Sequence, residues 1–436
     1  MATDSILSGA AVETAPITHI PWLDELRGRE LSGIERLAQV GSPSTGNLER
    51  STLESRMQRD LKGRDLRRMR GDLDLFERRA TSAGLTSDQV AETYRQVTRL
   101  FDAGQGATLP ADQRLRLAQQ VLRNAARPTA IDQGHHGTCN VSVVESRVYT
   151  KNPEAAARLV ADVATTGSFR SKDGSLITPT MRSLSPDDEA RSNPPGNGRR
   201  GFASQIFQMT AANIKWQRTI VTPDGHIASK GKITYEQIPN KRSSFSDDTG
   251  ERVMDYSQNP PRETTSYKQG PALSVSDLPD IANQITGKSD SGFVIENKVH
   301  AGRFTEQVSS PKELEQAILD ARQNGRLPAF IRVHTGNDPF LSDSGGTYSR
   351  QRGVWHVVSI TDYDPRTKKV SIDNQWGSRS DRTVDLDKLY KATMEPGTDA
   401  WKKKHELYVN PGLPGFPGFP GFNFPLDLQS LSPFQF

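Results

Sequence analysis

Cysteine is almost absent: the 436 residues contain one, Cys139. A single thiol excludes an internal disulfide and any zinc site built from cysteines, and leaves either a reactive group or a small buried hydrophobe. Long apolar runs are missing too. No stretch approaches the roughly 20 residues that a bilayer-spanning helix needs, so no membrane insertion is expected. The first residues, MATDSILSGAAVETAP, have no basic start and no sustained apolar core, which argues against a Sec-type signal peptide. A reducing, cytoplasmic setting is the expectation, with export by a signal-independent route as the alternative. Hydrophobic residues are only 34% and aromatics 7% of the chain, and the mean hydropathy is −0.65. Long polar loops or disordered ends are therefore expected around a smaller core. The net charge of +4 is too small to name a partner.

What is present begins with helices. In GLTSDQVAETYRQVTRLFDAG, Val90, Tyr94, Val97 and Phe101 recur at helical spacing, Thr86 with Gln89 makes a capping box, and Gly104 offers a stop. Ser51 and Glu54 suggest a second capping box leading into Leu53, Met57 and Leu61, and Leu115, Ala118, Val121 and Leu122 mark a third helix. The basic run RMQRDLKGRDLRRMR reads as the solvated face of one helix, because Asp60 and Asp65 interrupt it; no nucleic-acid partner is expected. Residues 165–300 are rich in Gly, Pro, Ser, Asp and Arg and read as long loops or insertions. Helical patterns return over 202–212 and 311–325, strand-like pieces lie around 218–221 and 232–235, and LPAFIRVH, GVWHVVSITDYD and KKVSIDNQWG read as strands. Helices first and strands later predict an α+β fold. The last 26 residues carry a Pro-Gly-Phe repeat in which no regular element is expected.

The lone cysteine lies in IDQGHHGTCNVSVVE, residues 131–145. A thiol becomes a strong nucleophile when an imidazolium or a helix N-terminus stabilises its thiolate. Acyl transfer also needs a donor aimed at the developing oxyanion and a group that orients the imidazole. Gln133 stands six residues before Cys139, with Gly134 and Gly137 between them allowing a tight loop. His356 sits on a strand able to point it back at the thiol, and Asn374 follows on the next strand of a hairpin. There an amide oxygen would accept from one imidazole nitrogen and fix the tautomer, and Trp376 would shield that bond from water. His135 and His136 invite a metal reading, but adjacent side chains on an extended loop diverge and nothing nearby in sequence completes a site. They are expected to line the entrance of the cleft or to help make the site electropositive.

In these residues the chain resembles the papain-like cysteine peptidases, which place a glutamine, a glycine-containing loop and the nucleophilic cysteine ahead of a histidine and an Asn-x-Trp-Gly block. The resemblance implies that Cys139 attacks the scissile carbonyl and that His356 is the general acid and base. It further implies that Asn374 orients the imidazole and that Gln133 and the Cys139 amide form the oxyanion hole. NPPGNGRRGFASQIFQM is similar to the glycine loop and helix that line the substrate cleft, which would put Gly196, Asn197 and Gly198 beside the substrate, with His136 and Trp376 completing that surface. Local propensity alone reads Val141, Val143 and Val144 as a strand; the resemblance requires a helix, whose dipole would help hold a thiolate.

The organisation implied is an all-α region over 1–127, a pro-region or a partner or targeting domain; a two-lobed α+β catalytic domain over 128–410; and a disordered tail over 411–436. The substrate would be a protein or peptide, with no metal or organic cofactor, and the N-terminal helices or the tail offer docking segments for a partner. Two alternatives stand. Transglutaminase-like acyltransferases and glutamine deamidases use the same order of groups, and a scaffold without turnover would bind peptides and leave them whole.

Overall fold

The computed structural model describes residues 45–221, 227–230, 232–237, 251–265, 271, 273–299, 305–340 and 354–396, so the Pro-Gly-Phe tail lies outside the described residues. Helices lead and strands follow, giving a mixed α+β chain. It divides into two units, one of Met1–Arg127 with Val148–Phe169, the other of Pro128–Arg147 with Arg170–Phe436. The return of Val148–Phe169 to the first unit has no signature in the sequence. Among the described residues no helix is long and apolar enough to cross a membrane.

The first unit contains α1 (Thr45–Asp60), α2 (Gly63–Ser82), α3 (Ser87–Asp102) and α4 (Ala111–Ala126). The Thr86–Gln89 capping box opens α3 as the sequence suggests: Gln89 N–H donates to Thr86 Oγ1 at 3.2 Å and Thr86 N–H to Gln89 Oε1 at 3.1 Å. Ser51 differs. It lies inside α1, where its hydroxyl donates to the Leu48 carbonyl at 2.9 Å, so it caps nothing. The basic run is two helices, broken at Lys62 because Gly63 adopts φ +54°. Leu53, Met57, Phe76, Tyr94, Val97, Leu117 and Val121 are all buried, each worth about 1.5–3 kcal/mol of removal from water.

The helix that follows, α5 (Cys139–Lys151), starts in the second unit and ends in the first, and α6 (Pro153–Thr166) completes the first. Arg79 donates to the Ala125, Tyr149 and Thr150 carbonyls at 2.6, 3.0 and 3.2 Å, acceptors that lie at helix ends, where intrahelical donors run out. Burial brings its guanidinium down to about 10.

The short β1 (Phe169–Arg170) starts on the last residue of the first unit, and β2 (Leu176–Ile177) and α7 (Phe202–Gln217) follow in the second. Strands fall at the two strand-like pieces, over Thr219–Val221 and Ile233–Gln237, and the loop-rich segment holds further strands and a helix that its composition does not suggest. A hairpin joins β3 (Thr219–Val221) and β4 (Ile227–Lys230). An antiparallel sheet joins β5 (Ile233–Gln237), β6 (Glu251–Asp255) and β7 (Arg262–Thr265), ahead of α8 (Leu278–Thr286). The largest sheet takes β8 (Val294–Asn297), β9 (Glu306–Val308), β10 (Ala329–His334), β11 (Trp355–Asp364), β12 (Lys369–Asp373) and β13 (Arg382–Asp385) in the order β13-β12-β11-β10-β8-β9. Its β10 to β13 run antiparallel, with Val333 opposite His356 and Ser359 opposite Asp373. Leu314 and Ile318 of α9 (Pro311–Gln323) and Leu389 of α10 (Leu386–Ala392) share one apolar core with Ile331, Val358, Ile360 and Val370. That core fixes β11 and β12, the strands that carry His356 and lead to Asn374.

Candidate active site

Cys139 is the first residue of α5. Valines 141, 143 and 144 are fully buried in this helix, so tertiary burial overrides the strand propensity of a β-branched set. The helix start is fastened on both sides. The Thr138 carbonyl accepts from Ser142 N–H at 2.9 Å and from Ser142 Oγ at 2.9 Å, while Thr138 Oγ1 donates to Gln208 Oε1 of α7 at 2.8 Å. Asn140 accepts from the Val141 amide at 2.9 Å and donates to the Leu273 carbonyl at 3.3 Å. The Cys139 amide therefore belongs to a first helical turn whose N–H groups have no intrahelical acceptor.

The thiol lies against the backbone amide of Val357, the residue after His356. Burial pushes it above its ordinary range, and the amides of Val357, Asn140 and Cys139 act in the opposite direction without reversing the shift. His356 is buried, and its Nε2 stands 2.9 Å from Asn374 Oδ1. A carboxamide oxygen can only accept, so Nε2 carries the hydrogen and Nδ1 the lone pair. Trp376 stacks on the imidazole with ring centroids 4.1 Å apart and planes at 19°. Burial takes the His356 pKa down to about 4, with the Asn374 hydrogen bond pulling the other way. Both shifts favour a neutral thiol and a neutral imidazole at rest.

Gln133 reaches the same place through its backbone: its N–H donates to the Gln375 carbonyl at 2.9 Å. Its side chain is buried, with Nε2 donating to the His136 carbonyl at 2.6 Å and Oε1 without a hydrogen-bond partner. An Nε2 has two hydrogens, so one remains for a second acceptor. The glycine loop also converges here. Gly198 N–H donates to Asp132 Oδ2 at 2.8 Å, and Asn197 Oδ1 accepts from Ser378 N–H and Oγ, both at 2.8 Å. Gly198 has φ +71° and its Cα faces the Trp376 carbonyl, where an added Cβ would come within 3.0 Å. Gly196 stands at the turn, its carbonyl accepting from Arg199 N–H at 3.0 Å.

The structure thus brings Cys139, His356, Asn374, Trp376, Gln133 and the 196–198 loop into one neighbourhood. His136 is placed differently from the entrance position expected of it. Only 3% exposed, it is held between Glu251 Oε1, 3.0 Å from Nδ1, and Asp187 Oδ2, 2.9 Å from Nε2. His135 is the exposed member of the pair, with Nε2 3.3 Å from Glu189 Oε1. A polar loop composition hid this arrangement, because sequence does not distinguish a solvated carboxylate from a buried one. Asp187, Glu189, Arg200 and Glu251 are all buried. Two more carboxylates escaped notice: Asp381 Oδ1 accepts from Asn374 N–H at 2.9 Å, and buried Asp373 precedes Asn374.

Comparison of the chain with protein-family models, characterised proteins and solved structures gives no match.

Proposed function

We propose that the protein is a cysteine peptidase of papain-like, two-lobed arrangement, cleaving peptide bonds through a thioester on Cys139. The observation that carries this reading is the 2.9 Å bond from His356 Nε2 to Asn374 Oδ1 beneath Trp376, with the Cys139 thiol on the adjoining Val357 amide. A buried imidazole whose tautomer is fixed by an amide has a defined nitrogen to offer as a base.

Cys139 Sγ attacks the carbonyl carbon and its proton passes to His356 Nδ1. The negative charge that develops on the carbonyl oxygen is met by the free Nε2–H of Gln133 and the Cys139 amide. The C–N bond then breaks, the imidazolium returns its proton to the leaving amine, and an acyl thioester remains. Water attacks this thioester as His356 takes a proton, and return of that proton to sulfur regenerates the thiol and releases the acid. Starting from neutral partners, proton transfer accompanies S–C bond formation, so no buried ion pair has to be sustained before substrate arrives.

The test is to incubate the full chain with a peptide library in reducing buffer prepared in ¹⁸O water, beside Cys139→Ala. New termini carrying ¹⁸O and absent with the variant support the peptidase. Unchanged chain lengths with glutamine converted to glutamate would replace it with a deamidase, amine-linked glutamine with an acyltransferase, and an unaltered library with a binding module.

A further inference from the structure

The loop that presents Gln133 is held by ions. A chain with one cysteine cannot staple a loop covalently, and here three buried carboxylates do that work. Glu251 of β6 holds His136 Nδ1 through Oε1 at 3.0 Å and accepts from Gly137 N–H through Oε2 at 3.3 Å. Glu189 accepts from His135 N–H at 3.2 Å and from Arg200 N–H at 3.4 Å. Asp187 lies 2.9 Å from His136 Nε2, close enough for an ion pair though not aligned for a hydrogen bond. Asp187 is itself fixed by the Ala190 and Glu189 amides at 2.8 and 3.0 Å, by Gln237 Nε2 of β5 at 2.7 Å and by Arg200 at 2.8 Å. Gly134 permits this course, with φ +65° and no room for a Cβ against Glu189 and Arg200 N.

We propose that His136 is a positioning residue: clamped between Asp187 and Glu251, its imidazole fixes the backbone carbonyl that holds the Gln133 side-chain amide in place for the oxyanion. This rests on the peptidase reading above.

Charge supports it independently. Asp187, Glu189 and Glu251 face Arg200 and, toward the surface, Arg199, whose Nη1 lies 2.9 Å from Glu189 Oε1. Among the described residues three carboxylates meet two guanidinium groups here, and a protonated His136 places a further positive charge between Asp187 and Glu251. The other titratable groups facing the cluster among the described residues are His135, beside Glu189, and the buried Tyr235 of β5, whose phenol burial beside Glu251 keeps protonated. Burial and the Arg200 charge oppose protonation of His136, but Asp187 and Glu251 outweigh them and its pKa is raised. Burial opposes ionisation of both carboxylates as well, and the neighbouring cations still hold their pKa values down. The clamp is therefore intact below the raised His136 value and loosens as pH rises through it. It also loosens in acid, as pH falls through the depressed carboxylate values.

The test uses the full chain labelled with ¹³C-histidine and ¹⁵N-glutamine, with side-chain NMR followed against pH and His136→Gln and Gln133→Asn assigning the resonances. The proposal expects His136 to titrate above the ordinary imidazole value of 6.5, the Gln133 side-chain amide to shift with the same midpoint, and Glu251→Gln to lower both midpoints together. In turnover assays His136→Gln should lose kcat by on the order of 10- to 100-fold, the scale of a misplaced catalytic group, with KM changed less than about twofold. Should His136→Gln not fold, Glu251→Gln carries the same kinetic expectation. A His136 that titrates at or below the ordinary value, a Gln133 amide indifferent to it, or equal losses in kcat and reciprocal KM would overturn the proposal. The NMR arm needs no turnover, so a wild-type chain without peptidase activity would remove the functional reading and leave the clamp to be decided by spectroscopy.

Discussion

Ser146 Oγ donates to Asp373 Oδ2 at 3.1 Å, and this buried hydrogen bond joins the helix that starts at Cys139 to the strand that ends just before Asn374. Ser146 is seven residues past Cys139, two helical turns, so both lie on one face of α5. The bond therefore helps set where the thiol stands relative to Asn374.

Ser146→Ala should destabilise the protein by about 1–3 kcal/mol, because a buried carboxyl loses its donor. Chemical denaturation measures this, and a cost below about 0.5 kcal/mol would mean that the bond carries nothing. Burial first, then Asp381 and Asp132, drives the Asp373 pKa well above the ordinary carboxyl value of 3.8. A raised folded-state value means stability that is complete below 3.8 and is lost as pH rises through the raised value. Asp373→Asn mimics the neutral carboxyl, so thermal unfolding of the variant should show less of this decline than wild type.

Burial brings the His356 pKa down to about 4, and a general base must be neutral to work. The acid limb of kcat/KM is expected near that pH and not near 6.5, the ordinary imidazole value. Trp376→Ala lets water reach the ring, relieves part of the burial and should move the limb upward. A limb at the ordinary value in wild type, unmoved in the variant, would contradict the burial seen here.

Gln133→Ala should lower kcat by roughly 10²–10³, the usual loss for one oxyanion donor. Binding of a non-hydrolysable peptide should survive, since the group acts mainly on the transition state. An unchanged kcat would take Gln133 out of the reaction.

Gly198→Ala meets both a left-handed φ of +71° and the Trp376 carbonyl at 3.0 Å. A cost of about 1–2 kcal/mol is expected from the backbone alone, with loss of activity as Trp376 shifts. Gly196→Ala is the control: Gly196 has no positive φ, and its Cβ would meet only the Arg199 side chain at 3.4 Å. Thermal melts of the two variants should differ by several degrees.

Much of this arrangement was legible in the chain. Thr86 and Gln89 marked a helix start because a capping box is local chemistry. Cys139, His356 and Asn374, which the structure brings together, stand out in the chain because groups suited to acyl transfer occur there in order. What stayed hidden depended on burial. Val141, Val143 and Val144 favour strand by propensity alone, and only the resemblance pointed to the helix that packing produces, while Ser51 reads as a cap because the residues that extend α1 before it carry no apolar pattern. Asp187, Glu189 and Glu251 looked like solvated loop charge because their partners are distant in sequence: Glu251 lies 115 residues from His136.

The central claim is that Cys139 forms an acyl-enzyme with His356 as its base. Acid-quenched intact-mass measurement of the full chain, mixed with a panel of N-acyl amino acid p-nitrophenyl esters, tests it most directly, since a single cysteine makes the site of modification unambiguous. One acyl group per chain is expected on Cys139, disappearing at neutral pH as free acid is released, and formed on the order of 10²–10⁴ times more slowly in His356→Ala. Acylation confined to lysines, or a Cys139 adduct that forms equally fast without His356 and does not turn over, would contradict it.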